Sequence, residues 1–156
     1  MSTIETKTVA EQTVAFIEMQ GPYALVPQAM GQLYGWIQAA GLIPTGMPGA
    51  VYYTPPEAGP PDEARWAVFA PLAGDPPERA ADEQGIGIRK VPERVVAFAI
   101  HKGPYETVGA TYDALGRWLG ESGHTPVGPP EELYLNDPGE NAPEEYLTEV
   151  RMPIAG

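Results

Sequence analysis

Residues 13–41 read TVAFIEMQGPYALVPQAMGQLYGWIQAAG, and residues 95–123 read VVAFAIHKGPYETVGATYDALGRWLGESG. Laid over one another at an offset of 82, they match Val14-Ala15-Phe16 to Val96-Ala97-Phe98, Gly21-Pro22-Tyr23 to Gly103-Pro104-Tyr105, Trp36 to Trp118 and Gly41 to Gly123. Carried outward, the same offset lays residues 1–74 over 83–156 without a gap, and 24 of those 74 positions are identical. Ordinary residue frequencies would give about 5. The matches include Pro44 with Pro126, Tyr52 with Tyr134, Val68 with Val150, Pro71 with Pro153, and the closing Ala73-Gly74 with Ala155-Gly156. The chain therefore reads as one domain made of two repeats, 1–74 and 83–156, joined by a short linker at 75–82.

Each repeat reads as strand, helix, strand, strand. Val14, Phe16 and Glu18 alternate with Ala15, Ile17 and Met19, and Val96, Phe98 and Ile100 with Ala97, Ala99 and His101, the two-residue period of a half-buried strand. Gly-Pro turns the chain. Helices are expected over Tyr23–Ala40 and Tyr105–Ser122, with apolar stripes Val26, Met30, Leu33, Ile37 and Val108, Tyr112, Leu115, Leu119. Gly41 and Gly123 fit the helix stop, and Glu106 suits the positive end of the second helix. Further strands are expected over Ala50–Thr54, Arg65–Pro71, Glu132–Asn136 and Tyr146–Pro153, with leading strands at Ile4–Val9 and Ile86–Val91. The fold class expected is α+β: a tandem duplication giving one largely antiparallel sheet, two helices on one face, and a central ligand groove between the halves.

Composition narrows the function. Nine Lys and Arg against 21 Asp and Glu leave a formal charge of -12, which disfavours nucleic acid and anionic membrane surfaces and suits cationic or neutral compounds. No cysteine is present, so disulfides, thiolate catalysis and the usual structural zinc sets are excluded. With only His101 and His124 a His-rich metal site is excluded; a carboxylate-only Ca²⁺ or Mg²⁺ site stays open, but no calcium-loop spacing is present, and the expectation is no metal and no cofactor. Gly 18 and Pro 19 cluster between the periodic segments as turns. A polar N-terminus with Glu5 and Lys7, and no apolar run of membrane-spanning length, point to the cytoplasm. Dinucleotide, P-loop and nucleophile-elbow motifs are absent.

The candidate site residues come from the repeat and its breaks. Trp36 and Trp118 sit at equivalent helix positions, three residues beyond Leu33 and Leu115, where they can flank a flat aromatic ligand or pack the helices onto the sheet. Glu149 lies over Ala67, an acid where the other repeat has a methyl. It would receive a ligand's positive charge, act as a base, or pair with Arg151 two residues along the strand. Glu18 faces Ile100 in the alignment and reads as a second acidic wall or a solvated strand end. His101 closes its strand beside the Gly-Pro turn. Among eight tyrosines, Tyr52, Tyr112 and Tyr134 are expected to line the groove. The acidic pairs Glu131-Glu132 and Glu144-Glu145 read as solvated loop charges.

Two strand-helix-strand-strand units, a Gly-Pro-Tyr turn before each helix, a tryptophan on each helix and a closing Thr148-Glu149-Val150-Arg151-Met152-Pro153-Ile154 strand resemble the gyrase-inhibitor-like (GyrI-like) small-molecule-binding domains. These are also the effector-binding domains of certain multidrug-sensing transcription regulators. The resemblance covers nearly the whole chain and rests on the order of its features. It implies a groove that binds aromatic, often cationic, compounds, with Glu149 as the acid that meets the charge and Trp36 and Trp118 as flanking aromatics. The repeat begins almost at residue 1, which leaves no room for a helix-turn-helix. A stand-alone binder of hydrophobic small molecules, monomeric or weakly dimeric, is therefore the first expectation. The second is a hydrolase opening strained cyclopropane rings of DNA-alkylating compounds, with Glu149 and Tyr105 or Tyr134 directing water. The third is a protein that protects gyrase by direct contact.

Overall fold

The computed structural model describes residues 4–53, 63–136 and 140–155. The class is α+β, as the sequence predicts. The chain forms two compact units, Glu11–Pro92 and Met1–Ala10 with Glu93–Gly156. These units cut the chain at different points from the sequence repeat, because each repeat's leading strand belongs to the unit that holds the other repeat's helix.

In the 11–92 unit, β3 (Gly49–Tyr52), β4 (Arg65–Pro71), β2 (Gln12–Gln20) and β5 (Ile86–Val91) lie in that order, every pair antiparallel. Helix α1 (Val26–Ala39) covers one face after a short 3-10 turn at Tyr23–Leu25. Alternation along β2 and β4 sends Ala15, Ile17, Trp66, Val68 and Ala70 toward α1, where they meet Ala29, Leu33 and Ile37 in one apolar core. Trp66 is fully buried, and its indole N–H donates to the Gly21 carbonyl at 2.9 Å, so its one polar atom is satisfied. Gly87 in β5 leaves no room for a side chain: a Cβ there would meet the Arg79 carbonyl oxygen and the Phe16 ring.

The other unit has β1 (Glu5–Val9), β6 (Arg94–Lys102), β8 (Leu147–Ile154) and β7 (Glu131–Tyr134) in that order, again all antiparallel, with α2 (Gly109–Ser122) on one face. Its core joins Ala97, Val150 and Ile154 to Leu115 and Leu119 of α2. Gly123 ends the helix in the left-handed conformation at φ 73°, as the sequence predicts, and Gly41 follows α1 with φ 74°.

Leu33 and Ile37, and Leu115 and Leu119, are buried as expected, and Ala29 and Thr111 take the places expected for Met30 and Tyr112. Val26, Met30, Val108 and Tyr112 are half-buried flanks. Residues four apart line the face centre, and the small Ala29 and Thr111 let each helix approach its sheet. The expectation of solvated loop charges at Glu131-Glu132 is overturned. Both residues open strand β7, and both are buried. Glu106 and the Tyr23 ring lie outside the described side chains, and Thr54, the expected end of a strand, lies outside the described residues. Among the described residues no helix is long and apolar enough to cross a membrane.

Candidate functional site

The two faces of the β1-β6-β8-β7 sheet carry different chemistry, and strand alternation decides which residue goes where. Register pairs Glu149 with Ile100 and Leu133, and Arg151 with Phe98 and Glu131. These residues lie on the face turned away from α2, since Val150 and Ile154 face the helix core. On that outer face a chain of charges crosses all four strands. Lys7 donates to both Glu149 oxygens at 2.9 Å, and Arg151 Nε donates to Glu149 Oε2 at 2.5 Å. Arg151 also lies 3.8 Å from Glu131, which accepts from Arg94 at 2.7 Å. Lys7 rests over the Phe98 ring, 4.2 Å from its centre. Burial pushes the Glu149 carboxyl up, but the bonds and charges of Lys7 and Arg151 outweigh it and hold the group below the ordinary carboxylate range. Glu149 thus makes the expected pair with Arg151, and a second with Lys7, 142 residues away in sequence.

The face toward α2 carries the uncompensated acid. Register pairs Glu132 with Val150 and Tyr134 with Thr148, which turns both β7 side chains toward the helix. Tyr112, from the first turn of α2, donates its hydroxyl to Glu132 Oε2 at 2.6 Å, and Tyr134 donates to Oε1 at 3.3 Å. Burial raises the Glu132 pKa; the two phenol bonds and the nearby His101 imidazole oppose it without overcoming it. Among the described residues no lysine or arginine pairs with this carboxylate.

Around it stand aromatic rings and a held histidine. Tyr105 meets Tyr134 edge-on with centroids 5.6 Å apart, and stacks on Tyr146 at 4.8 Å. His101 Nε2 lies 3.1 Å from the Pro104 carbonyl oxygen and 3.0 Å from the Thr107 hydroxyl, and Nδ1 lies 3.0 Å from the Thr111 hydroxyl. Both ring nitrogens are therefore spent on tying β6 and the following turn to α2. Thr148, beside Tyr134 on the same face, is completely buried, and its Oγ1 has no hydrogen-bond partner among the described residues.

The structure brings Tyr105, Tyr112, Tyr134 and His101 together on the α2 side and sets Glu149 on the other side of that sheet. Trp118 packs on the same helix core and stacks on His124 at 5.1 Å. Trp36, Tyr52 and Glu18 belong to the 11–92 unit: Trp36 lies under Arg79, Tyr52 packs on the α1 core, and Glu18 is paired with Arg89 at 3.9 Å. Glu132 is the residue that sequence reasoning missed. Its signal was the one that raised Glu149: at the 82-residue offset it lies over Ala50, an acid over a methyl.

The chain matches the model of the GyrI-like small molecule binding domain over residues 2–155. It belongs to the GyrI-like family. This GyrI-like domain is similar to the EcmrR C-terminal domain, with 21% identity, a TM-score of 0.80, and coverage of 99% of this chain and 98% of that one. It spans 57% of the EcmrR chain in the EcmrR–DNA complex, at 18% identity and a TM-score of 0.84 over 98% of its own length. A hydrolase from Listeria innocua is similar at 15% identity and a TM-score of 0.72, covering 97% and 91% of the two chains. SAV2435, solved with tetraphenylphosphonium bound, is similar at 15% identity and a TM-score of 0.60, covering 99% and 94%. At such identities the likeness is one of fold. No curated protein matches the chain.

Proposed function

We propose that this GyrI-like domain holds an aromatic, positively charged small molecule, and that Glu132 receives the charge. The observation that carries the reading is a buried carboxylate with two phenol hydroxyls and, among the described residues, no cation paired to it. Burying a carboxylate is costly unless a counter-charge arrives with something else, and a bound cation supplies it. Tyr105, Tyr134 and Tyr146 offer ring faces and edges to a flat partner. The tetraphenylphosphonium bound by SAV2435 is a lipophilic aromatic cation, which agrees with this ligand class. Glu149 is less suited to the role, because Lys7 and Arg151 already satisfy it.

The test is calorimetric titration with flat aromatic cations, their neutral isosteres and anionic analogues of matched size. Preferential binding of the cations is expected; equal or better binding of the neutral or anionic compounds would remove Glu132 from the role.

A second reading rests on the 2.6 Å bond from Tyr112 to a carboxyl whose pKa is raised. A phenol and a basic carboxylate in contact can pass a proton, which is what the addition of water to a strained electrophilic ring requires. Incubation with a cyclopropane-bearing alkylator separates the two readings by mass. Recovery of the intact compound supports a binder, and a gain of one water that Glu132→Gln abolishes supports a hydrolase.

A further inference from the structure

The two units place different residues at corresponding positions around this site. Eighty-two residues before Glu132, Tyr112, His101 and Thr148 stand Ala50, Met30, Met19 and Trp66. In the 11–92 unit these positions are apolar, and the fully buried indole of Trp66 donates its N–H to Gly21. At the matching position the other unit has Thr148, a far smaller side chain whose hydroxyl is completely buried and, among the described residues, unpartnered. Tyr146 stands where the 11–92 unit has Ala64, but its ring is half-buried and stacked on Tyr105. One unit therefore supplies its own flat ring and N–H donor, and the other has the unmet acceptor.

We infer that Thr148 is a specificity-determining residue of the Glu132 site: its Oγ1 accepts a hydrogen bond from the N–H of the ligand, which is a protonated amine carried on a flat aromatic ring rather than a quaternary or phosphonium cation. This rests on the reading of Glu132 as the acid that meets the ligand's charge. Glu132 supplies charge and cannot by itself relieve a hydroxyl on the neighbouring strand. Thr148 supplies direction, because a buried hydroxyl is relieved only by a polar group brought to it. A cation whose charge is sheathed in methyl or phenyl groups leaves it unmet. The ligand reaches this depth by taking the place of Tyr146 against Tyr105, exchanging one ring stack for another.

The experiment uses the whole chain and two cations that differ at one bond: naphthylmethyl-dimethylamine, protonated at neutral pH, and naphthylmethyl-trimethylammonium. The wild type should prefer the protonated amine. Thr148→Val, of the same shape, should weaken that amine about tenfold, as loss of one hydrogen bond does, and leave the quaternary salt unchanged. Thr148→Ser, which keeps the hydroxyl, should retain the preference. Without ligand, Thr148→Val should melt at a higher temperature than the wild type, because the unmet hydroxyl is gone. An equal change for both cations, or no change for either, overturns the assignment of Thr148 while leaving Glu132 standing. A lower melting temperature for unliganded Thr148→Val overturns it as well, since the hydroxyl would then have a partner. Failure of both cations to bind the wild type overturns the Glu132 reading, and this one with it.

Discussion

Replacing Glu132 by Gln keeps the size of the side chain and removes only its charge, so it separates the acid's cost from its use. In the folded protein the carboxyl sits above its ordinary value of 4.5, chiefly through burial. The folded state therefore holds the proton more tightly than the unfolded chain. The corresponding stability is fully present below pH about 4.5 and is lost as pH rises through the raised value. Affinity for a cation runs the other way, because only the ionised carboxylate attracts it: binding should strengthen over the same rise in pH. A hydrogen bond or contact to a charged group is worth about 1.5–3 kcal/mol. Glu132→Gln should therefore weaken an aromatic cation roughly 10- to 150-fold at neutral pH. A neutral isostere should change little. Titration calorimetry across a pH series, with urea denaturation of the same two proteins, measures both arms. The substitution should flatten the pH dependence of cation binding and raise unliganded stability at neutral pH. Equal losses for cation and neutral compound, or an affinity that falls as pH rises through this window, would refute the reasoning.

Lys7→Met tests the opposite slope. Glu149 is held below its ordinary 4.5, so its stability contribution is present above that value and lost as pH falls through the lowered one. Because the Lys7 side chain is 36% exposed, its removal should cost no more than about 1 kcal/mol at neutral pH and reduce the loss on acidification, read by urea midpoints at several pH values. Trp66→Ala empties the centre of the 11–92 core and should cost about 3–5 kcal/mol in chemical denaturation. Gly87→Ala forces a methyl against the Arg79 backbone and should lower stability by about 1–3 kcal/mol, whereas Gly116→Ala on α2, with open space around it, should raise it by about 0.5–1 kcal/mol; thermal melts check both.

The strands and helices were legible because their signals are local. Val14 to Met19 and Val96 to His101 alternate on their own, the Gly-Pro turns mark their ends, and the offset of 82 doubles each signal. β3 and β7 agree residue for residue under that offset, Gly49–Tyr52 against Glu131–Tyr134. The site was less legible because its partners are far apart in the chain. Nothing near Glu149 announces Lys7, and nothing near Glu132 announces Tyr112 on a helix twenty residues earlier. Two adjacent glutamates between Pro130 and Leu133 look like surface charge. Their burial follows from strand pairing that puts Glu131 against Arg151 on one face and Glu132 against Val150 on the other. Of the tyrosines named from the sequence, Tyr112 and Tyr134 bond Glu132, and Tyr105 packs edge-on against Tyr134.

The membership of β1 sets an order on synthesis. The 11–92 unit is one unbroken run of chain, so every strand it needs has been made once Pro92 has been added. The other unit opens with β1 and closes with β8, and β6, the strand that pairs with both, begins only at Arg94. On the ribosome, β1 therefore waits with its ladder unmet while the whole of the intervening unit is made. Lys7 reaches its acid only after Glu149 has been added.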